Sequence, residues 1–312
     1  MFTASDGRVS SAADHDQRPR GYPDLVPLLA NPIPQTTGRR SVWINGQLHL
    51  GGDEPTVSAT DHGLVVGDGV FEALKVIASG AFAVRRHLAR LTRSAAALGL
   101  PAPDHDVLRE AIDAVLTDRD FTDGKLRITY TGGAGPLGSP AAYGPPTLIV
   151  AAEASPHPPA TTAVVTAPWS RNEHGALAGV KSISYAENVR ALAWAATQGA
   201  GEAIFLNTAG NVCEGTGTNI FCVFGDTVVT PPLTAGPLAG ITRELLLEWC
   251  EIIQRDLTPT DALAADEVFI TSSLRDVQSV DRWGTTVFGP ERPGTERISR
   301  SFAKWAGADP DP

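Results

Sequence analysis

The run Ser41-Val42-Trp43-Ile44-Asn45-Gly46-Gln47-Leu48 constrains the fold more than any other stretch of this chain. Two β-prone segments flank an Asn-Gly pair, whose residues accept the positive φ of a tight hairpin turn. The folded part is therefore expected to begin at a hairpin near residue 41. Residues 1–40 are rich in Ser, Asp, Pro and Arg and lack sustained periodicity. They read as a disordered extension, with a short apolar turn at 25–29.

Strand-like and helical patterns then alternate irregularly. Val66-Gly67-Asp68-Gly69 is a turn feeding a strand at 70–77. Apolar residues at 88, 91, 95 and 98 have helical spacing within 87–100, closed by Gly99 and Pro101, and a second helix is expected at 108–116. Strands at 126–130 and 147–151 bracket a Gly/Pro loop at 132–146. The Pro-rich segment 154–161 reads as a linker. Beyond it come strands at 163–166, 202–206, 211–214, 219–223, 227–230 and 267–271, with helices at 185–198 and 241–253. The pattern predicts a mixed α+β chain of two domains. A small α/β domain would span 41–153, a linker 154–162, a larger domain 163–305 and a tail 306–312. A ligand is expected between two such domains.

Composition narrows the function. The net charge of −10 argues against nucleic acid as the partner. No apolar run reaches the roughly 20 residues that a membrane span needs. Three Cys, at 213, 222 and 250, are too few and too odd in number for a disulfide framework, and Cys213 and Cys222 lie in apolar runs that predict burial. There is no CxxC and no paired His, so no metal site is expected. The N-terminus shows no secretory h-region, and a reducing cytoplasm is the expected compartment.

Lysine is scarce: it occurs only at 75, 125, 181 and 304, and the other 21 basic residues are Arg. Lys181 stands in Gly179-Val180-Lys181-Ser182-Ile183-Ser184-Tyr185, and Glu214 follows in Val212-Cys213-Glu214-Gly215-Thr216-Gly217. An amine and a later carboxylate between strand-like runs suit pyridoxal phosphate chemistry. The amine forms a Schiff base and shuttles a proton, and the carboxylate keeps the pyridine nitrogen protonated. The same residues also read as a loop lysine and a strand-end glutamate. Gly240-Ile241-Thr242 opens a helix whose first amides lack internal partners, and Ser272-Ser273 is a hydroxyl-rich turn at a strand end. With Arg90 from the first long helix they would form a phosphate cup. Taken singly, the Ser-Ser turn also reads as a helix cap and Arg90 as a solvated residue. Tyr185 is placed to reach the cofactor's phenolic oxygen, or to serve as an ordinary core-edge tyrosine.

With these blocks the chain resembles the fold-type IV pyridoxal-phosphate enzymes, the class IV aminotransferases. The resemblance runs from about 42 to 285, through Asp61-His62-Gly63-Leu64, Gly67–Glu72, His87–Leu91, Lys181, Glu214-Gly215, Leu238–Arg243 and Thr271-Ser272-Ser273. It implies a small N-terminal α/β domain, a larger C-terminal pseudo-barrel domain that holds the cofactor, and a homodimer with its site near the subunit interface. It implies that Lys181 carries the cofactor, that Glu214 faces its ring nitrogen, and that Arg90, Gly240, Ile241, Thr242, Ser272 and Ser273 surround its phosphate. The substrate is expected to be a small amino-acid-like molecule.

The loop Thr129–Gly138 lacks the Arg and His that grip a carboxylate in D-amino acid transaminases, and Phe71 stands where those enzymes often have Tyr. The runs Ser184–Val189 and Cys213–Gly217 look most like aminodeoxychorismate lyases. The resemblance thus implies a lyase that converts 4-amino-4-deoxychorismate to 4-aminobenzoate and pyruvate, with a class IV transaminase of branched-chain or D-amino acid type as the alternative. Phe71, Tyr130 and Arg275 are the expected substrate contacts, with Arg275 as a carboxylate anchor.

Overall fold

The computed structural model describes residues 40–50, 55–117, 119, 121–140 and 144–312. The expected extension at 1–40, with its apolar turn, lies outside the described residues except for Arg40.

The hairpin forms as expected. β1 (Ser41–Ile44) and β2 (Gln47–Leu50) pair in register around Asn45 and Gly46, at φ 46° and 96°. β1 continues a six-stranded antiparallel sheet of order β2-β1-β6-β5-β3-β4, with β3 (Gly69–Ile77), β4 (Gly80–Ala81), β5 (Gly124–Thr131) and β6 (Thr147–Ala154). α2 (Val84–Ala97) and α3 (His105–Thr117) cover one face of it, and a one-turn helix α1 (His62–Val65) precedes β3. Val70, Leu74, Val76, Leu126, Ile128 and Tyr130 point into this helix-covered core. Strand alternation therefore leaves Phe71, Ala73, Arg127 and Thr129 on the other face, which looks toward the second domain.

α2 starts three residues before the apolar spacing predicts. Its first amides find acceptors far away in sequence: Ala83 N–H donates to Pro310 O at 2.8 Å and Arg85 N–H to Asp311 Oδ1 at 2.7 Å. Residues 306–312, expected as a tail, are thus packed against α2.

Residues 155–160 connect β6 to β7 (Thr161–Arg171), which opens the second domain. A nine-stranded mixed sheet follows. It comprises β7, β8 (Glu202–Asn207), β9 (Val212–Gly215), β10 (Asn219–Phe224), β11 (Thr227–Thr230), β12 (Ile252–Gln254), β13 (Glu267–Ser272), β14 (Asp276–Trp283) and β15 (Thr286–Val287). Its order is β12-β11-β10-β13-β14-β7-β8-β9, with β15 on β14. α4 (Ala186–Thr197) packs its Ala191 and Ala195 on β7 and β8, while α5 (Ile241–Trp249) and α7 (Pro293–Ala308) cover β10 and β13. A short α6 (Pro259–Leu263) leads into β13.

Two readings need correction. The helix expected at 241–253 ends at Trp249, because Cys250 is extended and Ile252–Gln254 pairs in parallel with β11. β14 and α7 escaped prediction altogether. The first amides of α7 are held by a distant carboxylate: Glu267 accepts Gly294 N–H at 2.8 Å and Thr295 N–H at 2.7 Å. Cys213 and Cys222 are buried, as their apolar runs predict. Among the described residues no helix is long and apolar enough to cross a membrane, and no cluster of His, Cys, Asp and Glu is placed to hold a metal.

Candidate active site

Lys181 is fixed by backbone pairing between the domains. Its carbonyl accepts Phe71 N–H at 3.0 Å, and Ile183 N–H donates to Gly69 O at 2.9 Å. Val70 and Ser182 thus form an antiparallel bridge between β3 and the segment entering α4. The approach is close enough to require glycine: a Cβ on Gly69 would lie 2.8 Å from both Tyr130 O and Ile183 Cδ1. Lys181 N–H also donates to Ser94 Oγ on α2 at 3.2 Å. The amine projects into a cavity of about 800 Å³ between the domains and lies 4.3 Å from the Phe71 ring centroid. Burial, reinforced by the Arg90 charge, lowers its pKa to about 8.

Glu214, next to last in β9, lines the same cavity. Its Oε2 accepts Leu238 N–H at 2.9 Å, and Arg171 Nε lies 3.7 Å from Oε1. Burial raises the Glu214 pKa, opposed by Arg171 and by the Leu238 amide. Arg171 Nη2 also donates to Asn188 Oδ1 at 3.0 Å. Tyr185 closes this wall. Its ring meets Phe71 edge-on at 5.3 Å, and its hydroxyl donates to Thr216 O at 2.6 Å, an oxygen that Asn188 Nδ2 also approaches.

The remaining cofactor candidates meet at the other end. Gly240 is the N-cap of α5 and brings no side-chain cap, so the amides that open the helix face the cavity without internal partners. Thr242 is buried beside them, and Ser272 and Ser273 line the same end. Arg90 gives Nε and Nη2 to Glu72, at 2.8 and 2.7 Å, and Nη1 to Ala239 O at 2.7 Å. A guanidinium has five N–H groups, so two of Arg90's have no partner among the described residues, and the side chain lines the cavity. Thr271 Oγ1 is buried on the cavity wall and has no hydrogen-bond partner among the described residues. An uncapped helix end, an orphaned hydroxyl and two free guanidinium N–H groups fit a phosphate.

Two expected substrate contacts are not brought to the cavity. Tyr130 sits in the helix-covered core, one position out of phase with Arg127 and Thr129 on β5. Arg275 is turned away: Nη1 donates to Gln278 Oε1 at 2.7 Å and Nη2 to Gly201 O at 3.2 Å. Phe71 is in place. The cation that sequence reasoning missed is Arg127, whose Cζ lies 4.0 Å from the Phe71 centroid and whose Nε donates to Thr129 Oγ1 at 3.1 Å. Arg171 was also absent from the expected set and carried no signal in the sequence, and Thr271 was marked only as part of the hydroxyl run 271–273.

Comparison with known proteins agrees with this geometry. Residues 69–283 match the family model described as Amino-transferase class IV. The chain is 32% identical to the assigned branched-chain-amino-acid aminotransferase of Methanocaldococcus jannaschii, over 85% of this chain and 97% of that protein. It is 34% identical to the bifunctional aminodeoxychorismate lyase / D-amino acid transaminase of Mycobacterium tuberculosis, over 70% of this chain and 83% of the relative. The branched-chain amino acid aminotransferase of Escherichia coli superposes with a TM-score of 0.79 at 26% identity, covering 85% of this chain and 93% of that structure. The chain belongs to the class IV aminotransferase family, with the mixed α+β architecture of fold type IV. It is a pyridoxal-phosphate-dependent enzyme of the aminotransferase or lyase type.

Proposed function

We propose that the chain is an amino-acid transaminase that takes a branched-chain or similarly apolar amino acid and 2-oxoglutarate, and anchors a substrate carboxylate on Arg127. The observation that carries this reading is the shared ring. Arg127 and Lys181 stand over the same Phe71 side chain, and among the described residues Arg127 has no acidic partner. A guanidinium left without a counter-ion beside a reactive amine suits a carboxylate next to the reacting carbon. The wall built by Phe71, Leu177, Val180 and Leu274 suits an apolar side chain.

Bound pyridoxal phosphate would supply the electron sink at the substrate α-carbon. Lys181, with its lowered pKa, has enough free base near neutral pH to take the proton from that carbon and return it. Glu214 would hold a proton on the ring nitrogen, and Tyr185 would pack beside the ring. Arg90, Thr242, Thr271, Ser272, Ser273 and the amides following Gly240 would bind the phosphate.

The lyase reading is favoured by the bifunctional M. tuberculosis relative. It uses the same Lys181 proton transfer, and its dicarboxylate substrate, like 2-oxoglutarate, calls for a cation besides Arg127 now that Arg275 is engaged elsewhere, so charge alone does not separate the two readings. Loaded enzyme given aminodeoxychorismate alone, and separately amino acids with 2-oxoglutarate, separates the two. Turnover that requires the keto acid supports the transaminase. Pyruvate release without any acceptor overturns it in favour of the lyase.

The protein is further read as a homodimer. Val189 and Leu192, one turn apart on α4, are exposed, and so are Leu64 and Val66, beside Gly67, whose carbonyl accepts from Ser184 Oγ two residues before α4. Light scattering on the purified protein tests this, with the mass of one chain as the opposing result.

A further inference from the structure

Glu72 is the most anomalous residue of β3. It shares the helix-facing side with Val70, Leu74 and Val76 and is fully buried. Beneath α2 it meets two other buried ionisable groups, His87 and Arg90. Such a cluster is weak as a source of stability, because an apolar residue at the same point would avoid desolvating charge. Its geometry suits orientation instead. The carboxylate takes both Nε and Nη2 of Arg90, so the planar fork is locked with its remaining N–H groups toward the cavity. The same carboxylate contacts His87 Nδ1 at 2.6 Å. An ionised carboxylate only accepts, so Nδ1 carries the hydrogen and the ring plane is set. Burial lowers the His87 pKa, so the ring is neutral and Nε2 accepts from the Ser273 hydroxyl at 3.3 Å, which fixes the Ser273 side chain on the cavity wall.

We propose that Glu72 and His87 are positioning residues of the phosphate cup: Glu72 aims the Arg90 guanidinium and, through the His87 ring, fixes the Ser273 side chain. One buried carboxylate thereby ties together two limbs of the cup that come from different domains, α2 and the turn after β13. The charges agree with this role. Burial works against the ionised form of Glu72, but Arg90 and then His87 more than reverse it, leaving the carboxylate well below its usual range. The inference concerns the phosphate alone, so it is independent of whether the reaction is transamination or lysis.

The test is binding to cofactor-free protein, followed by tryptophan fluorescence, with pyridoxal phosphate, pyridoxamine phosphate and pyridoxal as three separate ligands. Glu72→Gln should weaken both phosphorylated ligands by about tenfold to hundredfold, the range for hydrogen bonds to charged groups, while leaving pyridoxal within about twofold. Equal weakening of all three would mean general damage to the domain and would overturn the proposal. Should Glu72→Gln fail to fold, His87→Leu, Ser273→Ala and their double variant decide the matter. If His87 acts through Ser273, the double variant loses no more affinity for pyridoxamine phosphate than the weaker-binding single variant. Additive losses would sink the relay.

Discussion

Arg171 Nε lies 3.7 Å from Glu214 Oε1, the nearest cation to a carboxylate that burial alone would push toward its neutral form. Glu214 can hold a proton on a ring nitrogen only while ionised, so Arg171 helps to set the acid limb of activity. Replacing Arg171 by Leu removes a charge that lowers the Glu214 pKa. The acid limb of kcat should then move to higher pH. Once the limb passes neutrality, kcat at pH 7 should fall about tenfold for every further pH unit and recover as pH rises. Glu214→Gln should lose about a hundredfold or more at every pH. A kcat–pH profile measured under saturating cofactor checks both, and an unmoved acid limb in Arg171→Leu would remove Arg171 from this role.

Lys181 should titrate unlike an ordinary lysine. Burial and Arg90 lower its pKa from 10.5 to about 8, so the unfolded chain binds the proton more tightly than the cofactor-free folded protein between those values. Stability of the cofactor-free protein should therefore rise with pH across that window and lack the contribution below it. Lys181→Met should flatten the slope and stabilise the protein at neutral pH by at most about 3 kcal/mol. Urea melts on either side of pH 8 measure this. Competitive amine labelling should show Lys181 half-reactive near pH 8. Half-reaction at the ordinary lysine value of 10.5 would contradict the buried-amine assignment.

The parts of the site that were legible in the sequence are those carried by local chemistry. Lys181 stood out by scarcity, and the Gly240-Ile241-Thr242 run announced an uncapped helix start. Arg127 did not stand out, because an arginine on an alternating strand reads as a solvated face. Only the docking of the second domain turns that face of β5 into a cavity wall. The opposite error befell Tyr130 and Arg275. Tyr130 has the wrong strand phase, and Arg275 precedes Asp276, whose φ of 51° redirects the chain so that the guanidinium reaches Gln278 instead of the cavity. The fold was legible wherever turns and apolar spacing were local, as at Asn45-Gly46 and along α2. It was not where the partner is remote in sequence, as with Glu267 at the start of α7 or Pro310 at the start of α2.

Arg127 should govern recognition of substrate and leave the cofactor untouched. Arg127→Leu keeps apolar contact with Phe71 but loses the charge, so KM for the carboxylate-bearing keto acid should rise about tenfold to hundredfold. Cofactor affinity should stay within about twofold, since the Arg127 side chain contacts neither Glu214 nor the phosphate cup. Arg127→Lys should restore only part of the loss, because an ammonium cannot present the planar fork. Unaltered KM in Arg127→Leu would remove the anchor on which the transaminase reading rests.

Gly240 links the two ends of the cofactor site. A Cβ there would lie 2.0 Å from Asn219 Oδ1, and Asn219 Nδ2 donates to Leu238 O at 2.9 Å. Leu238 in turn gives its N–H to Glu214. Asn219 is buried, so its amide cannot swing into solvent to relieve the clash. Gly240→Ala should therefore displace Asn219, loosen the 236–240 loop and weaken both the phosphate end and the Glu214 end together. The overpacking should cost about 1–3 kcal/mol of stability. Cofactor affinity should fall for pyridoxal as well as for its phosphate, which distinguishes this variant from Glu72→Gln. Gly240→Ala combined with Asn219→Ala, which opens the space, should recover part of the stability without restoring the grip on Leu238. A thermal melt and a cofactor titration on the single and double variants test the coupling, and full recovery of affinity in the double variant would show that Asn219 does not carry it.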